Sequence, residues 1–82
     1  MRQTAVYTEL GWKAEVEVLR DDSDEGKYKY TLKVIKTLAD GLLGRFPDGH
    51  IFTAFIDKNH MVYCDWRLTF NENGGEIGGD ND

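Results

Sequence analysis

Cysteine is almost missing from this chain. Cys64 stands alone, so no disulfide can form within one chain, and a lone thiol fits a reducing compartment. No apolar run approaches the ~18 residues of a membrane span. The opening Met1-Arg2-Gln3-Thr4-Ala5-Val6 lacks the apolar core of a secretory signal. The expected location is the cytoplasm. Soft metal ligands are equally scarce: His50, His60 and Cys64. Structural zinc usually takes four close ligands, so the expected reading is a core cysteine with surface histidines and no metal.

Nucleophiles are few as well. Ser23 is the only serine, and it lies in a run of acids. Cys64 shares an apolar strand with Trp66 and Leu68, the setting of an inert thiol. Asp65 is the one carboxylate on an otherwise apolar run, and the alternation turns it toward solvent. No catalytic residue and no cofactor are expected, so the chain reads as non-enzymatic.

What is present is alternation. Trp12-Lys13-Ala14-Glu15-Val16-Glu17-Val18 and Lys27-Tyr28-Lys29-Tyr30-Thr31-Leu32-Lys33-Val34 repeat apolar and polar side chains at period two. That pattern belongs to strands with one buried and one wet face. The acidic turn from Asp21 to Gly26 joins them into an antiparallel hairpin. Carboxylates at alternate positions invite a calcium reading, but the bidentate Glu of an EF-hand loop would fall at Leu32, so the turn reads as a solvated loop. The expected register sets Val18 against Tyr28, Val16 against Tyr30, Ala14 against Leu32 and Trp12 against Val34, with Glu17 opposite Lys29. Ala5 to Tyr7 reads as a short leading strand.

Leu32, Ile35, Leu38, Ala39, Leu42, Leu43 and Phe46 have helical spacing, weakened by Gly41 and Gly44 at roughly 1 kcal/mol each. The expectation for Thr37 to Gly49 is a long apolar loop with at most one helical turn, closed by a turn at Phe46-Pro47-Asp48-Gly49. A third strand is expected over about His50 to Ile56. A fourth, about Met61 to Phe70, is expected to pair with it as a second hairpin, in a register the sequence leaves open.

These elements give an all-β fold, a small antiparallel meander or roll/barrel of four to five strands over residues 1–70. The short strands, the Pro-Gly turn and a late Trp66-Arg67-Leu68 resemble SH3-like barrels in outline. Core expectations are Trp12, Val16, Val18, Tyr28, Tyr30, Leu32, Val34, Phe52, Ile56, Cys64, Trp66 and Leu68. Residues 71–82 carry four of the five net negative charges and one apolar residue, Ile77. They read as a disordered acidic tail. The roughly seventy residues left make a marginal core, a size that often leans on a partner chain.

Function follows from the surplus. Ile51, Phe55, Met61 and Tyr63 fall on a face the first hairpin does not cover, with Leu42, Leu43 and Phe46 beside it. Surplus apolar surface of this kind marks an interface. The expected function is a protein-interaction module, most simply one that binds a second copy of itself. The alternative is a small barrel binding single-stranded nucleic acid through Lys13, Lys29 and Lys33. In that reading Tyr28 and Tyr30 lie on the face opposite the lysines, and Glu15 and Glu17 dilute the charge.

Overall fold

The computed structural model describes residues 3–24, 27–41, 46–57, 67–72 and 74–78. Six strands form one antiparallel sheet: β1 (Gln3–Glu9), β2 (Trp12–Asp21), β3 (Lys27–Asp40), β4 (Ile51–Asp57), β5 (Arg67–Phe70) and β6 (Glu76–Gly78). Their order across the sheet is β4-β3-β2-β1-β5-β6. The all-β class read from the alternation is what the chain adopts, as one open sheet.

Several local expectations need correction. Val16 lies opposite Val34, Val18 opposite Leu32 and Glu17 opposite Lys33, so the β2–β3 register is displaced from the expected one by four residues. The buried face is unchanged, because apolar alternation is blind to an even shift. The turn explains the choice. The pairing continues to Asp21 opposite Tyr30, Asp22 N–H donates to Lys29 O at 2.9 Å, and Lys29 N–H donates to Ser23 Oγ at 2.9 Å.

The loop expected from Thr37 onward is instead strand as far as Asp40. The tight turn there closes between Pro47 O and His50 N–H at 3.2 Å, one residue later than expected. The C-terminal part of the expected fourth strand, β5, pairs with β1 at the other side of the sheet, Leu68 opposite Tyr7 and Phe70 opposite Ala5. Residues 58–66, which would have formed the rest of that hairpin, lie outside the described residues. Within the segment read as a structureless tail, Glu76–Gly78 pair with β5, Ile77 opposite Leu68.

The sheet is rolled. In a flat sheet, strands three places apart lie about 14 Å from each other. Yet Tyr7 on β1 and Phe52 on β4 have ring centroids 5.4 Å apart, and Tyr30 on β3 and Phe70 on β5 are 6.0 Å apart. The Cα radius of gyration is 11.9 Å, close to the ~11.7 Å of a well-packed chain of this length. Three breaks in the β2–β3 register supply the bend: each inserts one extra residue, Leu19, Ile35 or Leu38. Such insertions kink a strand and raise its twist.

The concave face holds the core: Ala5, Tyr7, Trp12, Ala14, Val16, Tyr30, Leu32, Val34, Phe52, Ala54 and Leu68. Val18 and Tyr28 are only partly buried against it, joined by Phe46 and Phe70. The side chains of Ile56, Cys64 and Trp66 lie outside the described residues.

Candidate interaction surface

β4 is an edge strand in the described sheet, and its alternation sorts its side chains sharply. Phe52 and Ala54 point into the core, while Ile51 and Phe55 remain 54% and 52% exposed on the convex face. Both were expected at an interface. Their neighbours on β3 are set by the ladder: Ile51 lies opposite Lys33, Thr53 opposite Thr31 and Phe55 opposite Lys29. The outward corner is therefore two large apolar side chains, two threonines and two exposed lysines.

Phe46, expected in the same set, belongs elsewhere. It packs on the core's aromatic end, 4.8 Å from Phe52 and 6.0 Å from Trp12 by ring centroids. His50 stacks on its outer side at 4.4 Å and 17°. Below it Tyr7 and Trp12 meet edge to face at 5.8 Å, and Tyr7 Oη donates to Glu9 Oε1 at 2.7 Å. Each side chain of this cluster is thus committed to packing. Leu42, Leu43, Met61 and Tyr63, the other expected interface residues, lie outside the described residues.

The lysines of the nucleic-acid alternative divide. Lys29 and Lys33 flank the apolar pair. Lys13 lies in the row of Ala39, and the row of Glu15 and Lys36 and the row of Glu17 and Lys33 separate it from Lys29. Sequence reasoning placed the aromatic residues opposite the lysines because it weighed only Tyr28 and Tyr30. The structure sets Phe55 beside Lys29. The signal was available: position 55 has the outward parity of its strand, but the strand's pairing with β3 was not foreseen.

Among the described residues no group of three His, Cys, Asp or Glu side chains stands close enough to hold a metal, and no helix is long and apolar enough to cross a membrane. The acidic turn closes on itself. Ser23 N–H donates to Asp21 Oδ1 at 2.9 Å, and Arg20 pairs with Asp22 at 3.1 Å. Tyr30, buried nearby, has its phenol pKa raised above the ordinary value, chiefly by burial. A hydrogen bond with Ser23 opposes the shift, and the Asp21 carboxylate and Tyr28 add to it.

No family model, curated protein or solved structure matches this chain.

Proposed function

We propose that the chain is a non-enzymatic interaction module that binds a second copy of itself through β4. The observation that carries this reading is the apolar character of the outward face of β4. From Ile51 to Ile56 the strand has neither charge nor proline, and its two outward large side chains are half exposed. Large apolar side chains left exposed side by side on one face mark a contact with another protein chain. Two copies of this convex face related by a two-fold axis make a self-complementary contact. Burial of a large apolar side chain contributes about 1.5–3 kcal/mol, so Ile51 and Phe55 from each copy give the pairing a driving force.

Sedimentation of the full chain tests this. The unaltered protein is expected to dimerise at tens of micromolar. Ile51→Glu with Phe55→Glu is expected to be a monomer with its strand signal intact. An unaltered protein that stays monomeric, or a double variant that stays dimeric, overturns the reading. So does a double variant that unfolds, since it would place both side chains in this chain's own core.

A second reading rests on Phe55 lying beside Lys29, with Lys33 two rows away. An exposed aromatic ring flanked by cations is the elementary unit of single-strand nucleic-acid binding, where bases stack and phosphates pair. Titration with a fluorescent single-stranded oligonucleotide at rising salt separates the two. Affinity that falls steeply with salt and is lost in Phe55→Ala supports this second reading. Its absence leaves the apolar edge as a protein contact.

A further inference from the structure

At the other end of the sheet, a strand is already seated on the edge of β5, and it is very short. β6 places Glu76 opposite Thr69, Ile77 opposite Leu68 and Gly78 opposite Arg67. Ile77 is the only apolar residue from Asn71 to Asp82, and its register partner Leu68 is fully buried. The link from β5 to β6 is a turn in which Gly74 N–H donates to Phe70 O at 2.9 Å and Phe70 N–H donates to Gly75 O at 2.7 Å. Gly74 sits at φ +71° with nothing within 4 Å of where a Cβ would stand. At residue 74 the turn thus takes a backbone conformation that only glycine adopts freely.

We infer that β6 is an exchangeable strand, and that the edge of β5 is an interaction surface whose second occupant is β6 of another copy. The swapped and closed forms contain the same ladder, pair for pair. They differ in the turn, which is opened, and in the association of two chains. Exchange of an identical element is a low-cost route to a dimer when the hinge can extend. Here the hinge has two consecutive glycines, Gly74 and Gly75. A short tether gives the closed form an effective concentration in the millimolar range, so exchange grows with protein concentration. It is governed by residue 74. The surface is separate from β4, which lies at the opposite end of the strand order, and its failure would leave the β4 reading standing.

The test uses pairs of copies, all carrying Cys64→Ser and Phe55→Glu. One copy has Thr69→Cys and the other Glu76→Cys. Directly opposite residues of an antiparallel pair have Cα atoms about 4.5–5.5 Å apart, within disulfide reach. Mixed in a thiol–disulfide buffer with one partner isotope-labelled, they should form a covalent heterodimer at least tenfold more abundant than a control pair with Glu72→Cys in place of Glu76→Cys. Both cysteines in one copy should close within the chain, which checks the ladder itself. A second readout needs no cysteine. In the Ile51→Glu, Phe55→Glu background, Gly74→Val, strained at positive φ, should raise the dimer fraction in sedimentation about tenfold, and Ile77→Lys added to it should reverse the gain. A heterodimer no more abundant than the control overturns the inference. So does a Gly74→Val protein that stays monomeric, or a double-cysteine copy that fails to close.

Discussion

Leu10 carries two costs at once. Its φ is +52°, a left-handed conformation that costs an ordinary L-residue about 1–2 kcal/mol, and its side chain is 61% exposed. With Gly11 at φ +87° it makes the two-residue turn between β1 and β2, where Asn-Gly is the usual pair. Leu10→Asn is expected to stabilise the fold by about 0.5–1 kcal/mol, a rise in Tm of roughly 2–8 °C. Gly41 is the opposite case. A Cβ there would stand 2.7 Å from the Trp12 nitrogen and 2.9 Å from the Gly11 carbonyl carbon, at φ +68°. The β1–β2 turn lies directly against it. Gly41→Ala is expected to cost more than about 2 kcal/mol, whereas Gly74→Ala, with open space around it, bears only the conformational cost. Thermal melts of the three variants check the order. Tyr30 supplies a pH dependence. Its folded-state pKa is raised, chiefly by burial, so the folded chain holds this proton more tightly than the unfolded one. Stability is therefore full below the unfolded pKa near 10 and is lost as pH rises through the folded value. Tyr30→Phe should remove that part of the alkaline loss, read from urea midpoints between about pH 9 and 11.5.

At the scale of the element, the β2–β3 pair offers a direct test of register. Glu17 lies opposite Lys33, so a double-mutant cycle on that pair should give a coupling of about 0.2–1 kcal/mol. The cycle on Glu17 and Lys29 should give none. The presence of these two strands and their inward faces were legible in the alternation. Their register was not, because the alternation repeats every two residues and the wet face offers a lysine at both Lys29 and Lys33. The bulges were hidden for a related reason. Each extra residue is Leu or Ile, which reads equally well on either face. The insertions at Ile35 and Leu38 also stretch the apolar spacing from two to three, so Leu32, Ile35 and Leu38 imitate a helix while lying in one strand. The pairing of β5 with β1 was illegible because a sequence pattern identifies strands but not partners. Neighbours in the chain are only the default. The outward pair Ile51 and Phe55 was legible from parity alone, while the packing of Phe46 on Trp12 and Phe52 depended on how far the sheet rolls.

For the whole molecule, the rolling makes Phe52 the hub of one end. Its ring meets Tyr7, Trp12 and Phe46, three side chains from three separate parts of the chain. Phe52→Ala should cost about 3–5 kcal/mol, a large part of the ~5–15 kcal/mol that a small domain holds in reserve. Phe55→Ala, three residues further on the convex face, should change the stability of the isolated chain by no more than about 1 kcal/mol. Urea unfolding of the two variants, at concentrations where each is a monomer, distinguishes a rolled core from a flat sheet with two similar faces.

Asn71 is fastened to Thr4 by two hydrogen bonds, backbone N–H to O at 3.0 Å and side-chain Nδ2 to Oγ1 at 2.9 Å, across 67 positions of sequence. β1 meets its first neighbour within a few residues and its second only when β5 exists. On a ribosome adding about 5–20 residues per second, that gap is a wait of roughly 3–12 s. During it the early hairpins form before β5 exists to pair with β1. The hazard of mispairing for this chain is thus set by the speed of translation, and slowing elongation between β4 and β5 should lower the yield of native protein even though the finished fold is unchanged.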